Sequence, residues 1–283
     1  MIQAGDLNDP LRLAAFCRDD IGGNPAGVVF VDAFPAADVM LGVAADLGYS
    51  ETAFVSPTND GYALRYFAPQ IEVPFCGHAT VAAVAAIGQR TEPGEVKLTT
   101  PAGPVEAHTA RNDAGQWSGG FVAPPATDKE APPGVVSRIL DAFGLHADAL
   151  DHELGPALCS AGAKHIQVGL RSRARLAGMN YDMASLGPFM REHAIATVNL
   201  LWRENSQTFH SRNAFASGGI FEDPATGAAA AALGGYLQTR GLRGNVRILQ
   251  GDDMGIPCRI NVVLGDVAAN ITVSGDVRVL DST

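Results

Sequence analysis

The chain is poor in charge and has no concentrated source of it. Charged residues make up 18% of 283, and the formal net charge is −10. Arg171, Arg173 and Arg175 are the nearest thing to a basic cluster, and a solvated edge accounts for them. Phosphate binding needs a basic patch, so nucleic acid is excluded as a partner. The four cysteines, Cys17, Cys76, Cys159 and Cys258, lie far apart and form no Cys-x-x-Cys pair. That argues against structural zinc or a disulfide scaffold and fits a reducing cytoplasm. No uncharged run reaches membrane-spanning length, and no basic-then-apolar signal segment is visible, so no membrane association is expected. Also missing are a Gly-x-x-x-x-Gly-Lys-Ser/Thr loop, a Gly-x-Gly-x-x-Gly after a strand, and a His-Glu-x-x-His. The seven histidines show no metal-ligand spacing. Neither a nucleotide cofactor nor a metal is expected.

Hydrophobic residues make up 47%, which favours a well-packed globular protein of one large domain or two ordinary ones. Two helix starts stand out. One runs from Phe75-Cys76-Gly77-His78-Ala79-Thr80 into an uncharged stretch ending near Ile87. The other runs from Glu222-Asp223-Pro224-Ala225-Thr226-Gly227 into Ala228 and four further alanines. A helix apolar all round is buried. Its N-terminal N–H groups then need partners, and an anion is the natural one.

The order of elements repeats. In the first half, residues 24–27 read as a turn, 28–31 as a strand, and Met40 to Leu47 as a helix stopped at Gly48. Residues 52–55 and 62–67 form a hairpin around Pro57-Thr58-Asn59-Asp60-Gly61, ahead of the first buried helix and strands near 96–99 and 105–109. In the second half, 165–170 is a strand, 183–193 a helix, and 196–202 and 208–215 two strands. The second buried helix and strands near 247–249, 259–263 and 268–273 follow. The offset between halves is roughly 145 residues, a domain-sized spacing. Residues 124–133, rich in Pro, Ala and charge, read as the linker. The division is 1–120, completed by a last strand at about 276–283, and 121–275.

Four residues could carry chemistry. Glu51 opens the strand Thr52-Ala53-Phe54-Val55 among small and apolar neighbours, where desolvation would raise its pKa toward that of a proton shuttle. It could equally be a surface glutamate at a strand edge. His78 opens the first buried helix, where the dipole would favour a neutral imidazole; it could instead satisfy local backbone groups. Asp223 precedes Pro224, which suits the first helical position, so Asp223 reads as an N-cap that can also touch a ligand. Cys76 at a helix N-terminus could be a base or nucleophile, or a small buried hydrophobe.

Asn24-Pro25-Ala26-Gly27-Val28, Ser50-Glu51-Thr52-Ala53-Phe54, Arg65-Tyr66-Phe67-Ala68-Pro69, Pro74-Phe75-Cys76-Gly77-His78-Ala79-Thr80 and Glu222-Asp223-Pro224-Ala225-Thr226-Gly227 together resemble the signature blocks of the phenazine-biosynthesis PhzF-like family. Gln250-Gly251 with Gly255 and Pro257 looks like its C-terminal block. The resemblance spans nearly the whole chain. It implies an α+β, diaminopimelate epimerase-like fold: two pseudo-symmetric lobes, each a curved sheet or barrel around a buried helix, with the active site in the cleft. It also implies a homodimer and a cofactor-independent isomerase resembling trans-2,3-dihydro-3-hydroxyanthranilate isomerase, acting on a small carboxylated metabolite. By motif match, Glu51 resembles the proton-shuttling glutamate, and His78 and Asp223 the assisting histidine and aspartate. Asn24, Gly77, Gly227 and Ala228 would bind substrate. Where the family often has serine this chain has Ala228, which removes a specificity contact. A cysteine-assisted racemase or epimerase, and a non-catalytic small-acid-binding homologue, are the alternatives.

Overall fold

The computed structural model describes residues 9–112, 114–266 and 271–280. The final part of the expected last strand, 281–283, and the start of the one expected at 268 lie outside them. Residues cluster into two compact units, 1–122 with 274–283 and 123–273.

The first unit contains β1 (Leu11–Cys17), β2 (Asn24–Phe30), α1 (Ala37–Leu47), β3 (Thr52–Pro57), β4 (Tyr62–Ala68), β5 (Ile71–Val73), α2 (Gly77–Arg90), β6 (Gly94–Thr100), β7 (Gly103–Arg111) and β8 (Trp117–Val122). The second contains β9 (Thr127–Glu130), α3 (Pro133–Ala142), β10 (Ala157–Ser160), β11 (Lys164–Leu170), α4 (Arg173–Ala177), α5 (Met183–Glu192), β12 (Thr197–Arg203), β13 (Thr208–Ala214), β14 (Glu222–Asp223), α6 (Gly227–Thr239), β15 (Gly244–Gln250) and β16 (Cys258–Leu264). The last strand, β17 (Ile271–Val279), returns to β1, with Val279 opposite Leu13 and Val277 opposite Ala15.

Each unit builds the same ladder. In the first, β1 pairs antiparallel with β2, β2 parallel with β3, and β4 antiparallel with both β3 and β5. Then β4 pairs parallel with β6, and β6 antiparallel with β7. In the second unit β10, β11, β12, β13, β14, β15 and β16 repeat those partners and directions one for one. Parallel neighbours need a crossover. Helices α1 and α5 supply one crossover per unit, and α2 and α6 the other.

The two central helices are buried as their sequences require. Every residue from His78 to Gly88 is buried in α2, which packs on β1, β2, β3, β7 and β8. Helix α6 is buried from Ala229 through Gln238 and packs on β9, β10, β11 and β16. Gly119 of β8 lets α2 approach: an added Cβ would lie 2.2 Å from the Val81 carbonyl oxygen. On other faces, Met40 and Ala44 of α1 pack with Val29, Phe54 and Phe67, while Val135, Ile139, Leu186 and Met190 of α3 and α5 join Ile166, Val168 and Leu200.

Three sequence expectations are corrected. Residues 24–27 are not a turn but the first half of β2, with Asn24 opposite Ala15 and Gly27 opposite Thr52. Gly27 is there for closeness: a Cβ would meet Leu47 Cδ1 at 2.6 Å and Thr52 Oγ1 at 2.7 Å. Residues 124–133 are not an open linker, because Thr127 to Glu130 pair with β10 and Pro133 opens α3. Finally, α6 begins at Gly227, not Pro224, so Asp223 is not its N-cap.

Candidate active site

Glu51 directly precedes β3, and its carbonyl accepts the Gly27 N–H (3.2 Å), which pins its backbone at the strand end. His78 is the second residue of α2. Its ring is held on both nitrogens. Nε2 lies 3.2 Å from Ser50 Oγ and 3.5 Å from Glu51 Oε2, and Nδ1 lies 3.4 Å from Cys76 Sγ. The His78 side chain is 8% exposed and that of Glu51 20%, so the imidazole is fixed while the carboxylate keeps an open side. Asn24 is buried in β2 of the same unit.

Cys76 is the N-cap of α2 and makes no side-chain cap bond, and the first turn holds no acidic residue. The N–H groups of Gly77, His78 and Ala79 have no intrahelical acceptor, so the turn can receive an anion. The turn is rigid. Thr80 Oγ1 donates to the Cys76 carbonyl (2.7 Å) and shares a hydrogen bond with the Tyr66 hydroxyl (2.8 Å). Burial pushes the Tyr66 phenol well above its usual pKa, so it serves as a neutral strut.

The corresponding turn of the second unit holds Asp223, Gly227 and Ala228. Asp223 sits in β14 opposite Asn213, and its Oδ2 accepts from Thr226 Oγ1 (2.6 Å). Strand pairing keeps Asp223 extended, which is why the helix starts later than its sequence suggested. The N-cap is Thr226, again without a side-chain cap bond or acidic residue in the first turn. Cys76-Gly77-His78 therefore matches Thr226-Gly227-Ala228 position by position. Glu51 and His78 are brought together in the first unit; Asp223, Gly227 and Ala228 share one turn of the second.

Three supports hold this turn, and of their residues the sequence showed only Gln250 and Glu222, each as part of a family block. Buried Gln250 donates from Nε2 to the Asp223 carbonyl (2.7 Å), and its Oε1 accepts the Thr226 N–H (3.3 Å). Its neighbour Gly251 has φ 80°, and a Cβ there would lie 2.1 Å from the Ile256 carbonyl oxygen. Arg212 and Glu222 form a buried two-pronged ion pair, with Nε 3.0 Å from Oε1, and Arg212 Nη1 also donates to the Ala177 carbonyl (2.7 Å). Burial works to lower the Arg212 pKa, but the hydrogen bonds and charge of Glu222 outweigh it and hold the guanidinium above its usual value. Glu222 was visible only as part of a motif; nothing local pointed to Arg212.

The third support is a buried polar row. Thr197 donates to Asn213 (2.6 Å), Asn213 to Asn199 (3.2 Å), and Asn199 to Gln167 (2.7 Å), which donates to the Ala229 carbonyl in the first turn of α6 (3.4 Å). His165 ends the row, with Nδ1 2.8 Å from Thr197 Oγ1 and Nε2 buried without a partner. Burial lowers its pKa from 6.5 to about 4. Between those values the unfolded chain binds a proton that the native histidine does not, so stability rises with pH there. It is fully present above about pH 6.5 and is lost as pH falls toward 4, by about 3 kcal/mol at most. Urea unfolding of His165→Gln should show a markedly smaller fall in midpoint between pH 7 and pH 4.5 than the parent; an unchanged fall would assign the acid sensitivity elsewhere.

The fold also brings Glu51, Cys76 and His78 into one cluster, with one donor atom from each within 4.8 Å of the others. No sequence spacing of histidines announced it. Among the described residues, no helix is long and apolar enough to cross a membrane.

A family model described as phenazine biosynthesis-like protein matches residues 13–280. An uncharacterized isomerase of Deinococcus radiodurans is 32% identical over 261 residues, covering 89% of this chain and 85% of that protein. The trans-2,3-dihydro-3-hydroxyanthranilate isomerase of Pseudomonas chlororaphis is 31% identical over 254 residues, covering 86% of this chain and 85% of that protein. The crystal structure of a PhzF-family phenazine biosynthesis protein of Bacillus anthracis superposes with a TM-score of 0.83 at 23% identity, covering 96% of each chain.

Proposed function

This chain belongs to the phenazine biosynthesis-like family, and on that footing we propose that it is an isomerase moving a proton within a small carboxylated substrate. The observation that carries the reading is the Glu51 carboxylate 3.5 Å from a buried, doubly held His78 at an uncapped helix start. Glu51 removes a proton beside a conjugated or electron-withdrawing group and returns it to another carbon. Such a positioned acid/base typically contributes 10²–10⁴-fold. His78 orients the substrate and assists transfer, and Asp223 does so from its turn. Backbone N–H groups at Gly77 and Gly227 stabilise the charge that develops. Asn24 and Ala228 contact the substrate. Ala228 offers no hydroxyl, so we place the reaction class ahead of the phenazine precursor as substrate. The reaction requires no cofactor in this reading. The family resemblance supports a homodimer, and the scattered cysteines a reducing cytoplasm.

The test is incubation in heavy water with trans-2,3-dihydro-3-hydroxyanthranilate and a panel of small carboxylated metabolites. One of them should gain a single deuteron in an enzyme-dependent way. A chain that binds such an acid yet exchanges no proton into any would instead be a binding protein.

The 3.4 Å contact between Cys76 and His78 favours a second reading, a racemase or epimerase with the thiol as one base. Its matching position in the second unit is Thr226, so the pair of thiols such a mechanism can use is incomplete. Exchange with inversion at the recovered carbon, lost in Cys76→Ala and kept in Glu51→Gln, would select it.

A further inference from the structure

We propose that Cys76, His78 and Glu51 form a binding site for a thiophilic divalent cation of the zinc class, and that the bound ion switches the enzyme off. The inhibitory half rests on the isomerase reading above; the binding half does not.

The geometry is close to that of a ligand set. Zinc sits about 2.3 Å from a thiolate sulfur and about 2.0–2.1 Å from an imidazole nitrogen, so a tetrahedral angle separates those two donors by roughly 3.5 Å. Cys76 Sγ and His78 Nδ1 are 3.4 Å apart without any ion. These two donors flank one turn whose backbone is already fixed by Thr80 and Tyr66. The third donor is a carboxylate oxygen of Glu51, in a cluster where one donor atom from each of the three residues lies within 4.8 Å of the others. It now faces the Nε2 side of the ring, so it must swing about its side-chain torsions to close the site. Glu51 has the open side that this movement needs.

The donor chemistry selects the metal. A soft sulfur, an imidazole and one carboxylate suit zinc and its neighbours, whereas magnesium and calcium take oxygen ligands. Three protein ligands leave a fourth position for water or a substrate carboxylate. Binding displaces the Cys76 thiol proton to solvent, leaving two anionic ligands around a doubly charged ion. The complex is therefore neutral overall, and the positive end of the α2 dipole does not face a net cation. Inhibition follows from electron pairs. A Glu51 carboxylate drawn away from the Nε2 side of His78 and committed to a metal cannot take up a proton from substrate.

The experiment uses the full chain, zinc chloride as the probe, and a chromophoric zinc indicator as competitor, in a non-phosphate buffer with a non-thiol reductant. One zinc per chain should bind. Cys76→Ser should weaken binding by roughly 100-fold, at the upper end of what loss of a mere supporting contact costs. Cobalt in place of zinc should give a thiolate-to-metal charge-transfer band that Cys76→Ser abolishes, and Glu51→Gln should weaken binding less than Cys76→Ser. Circular dichroism confirms that both variants are folded. Proton exchange by the parent should fall in step with zinc occupancy. Absence of stoichiometric zinc, or a cobalt band that survives Cys76→Ser, overturns the site. Full occupancy without inhibition of an active enzyme overturns the switch. Zinc binding that depends on Cys76, in a chain that exchanges no proton into any acid tested, supports the site and overturns the isomerase reading instead.

Discussion

Glu51→Gln should lower kcat for the isomerisation by about 10³-fold and leave KM within about threefold, the pattern of a group that acts on the proton in flight and adds little to substrate binding. The amide has the shape of the carboxylate and can still face His78 and Ser50, but it has no basic electron pair. The half-open position of Glu51, with 20% of its side chain exposed, keeps the cost to stability within about 0.5 kcal/mol. Glu51→Asp keeps the base and retracts it by one methylene. A displacement of about 1 Å costs on the order of 10²-fold, so this variant falls between the parent and the amide. Steady-state kinetics on all three proteins, with thermal melts alongside, checks the order. A Gln variant at parental rate would remove Glu51 from the mechanism.

The second large effect lies in the support beneath Asp223. Breaking the Arg212–Glu222 pair from one side leaves a charge in a place where Arg212 is 7% exposed and Glu222 6%. Arg212→Met or Glu222→Leu alone should therefore cost about 3–5 kcal/mol of unfolding free energy. Replacing both, as Arg212→Met with Glu222→Leu, should recover most of the loss, because the unpaired charge is what is expensive. Denaturant titration of the two single variants and the double gives the coupling directly. Additive losses would show that the two side chains do not stabilise β14 as a pair.

Much of the fold was legible because its signals are local. Gly48 ends α1 in the left-handed conformation expected of a glycine cap, with φ 67°. The uncharged runs after Gly77 and Gly227 announced buried helices, and the turn around Asp60-Gly61 separates the hairpin strands β3 and β4. What failed was composition read without partners. Asn24-Pro25-Ala26-Gly27 has turn residues, yet β1 on one side and β3 on the other hold it extended, and its glycine serves packing against Leu47 and Thr52. Asp223-Pro224 has the look of a cap, yet β13 claims Asp223 as a strand residue and the cap falls to Thr226.

The candidate site was legible differently. Local chemistry left Glu51 as plausible at a strand edge as at a catalytic position. Only the family blocks singled it out, and the folded distance to His78 supports them. Arg212 and the His165 row were invisible because their partners are distant in the chain and their spacing follows no motif, and Gln250 showed only as part of a family block that gave it no partner.

The most direct measurement is a crystal structure of the enzyme soaked with a non-reacting analogue of its substrate acid. The analogue's carboxylate should lie on the N–H groups opening α2, with the carbon that loses its proton about 3–3.5 Å from a Glu51 oxygen. An analogue bound elsewhere, with Glu51 turned to bulk water, would remove Glu51 and the α2 helix start from the reaction.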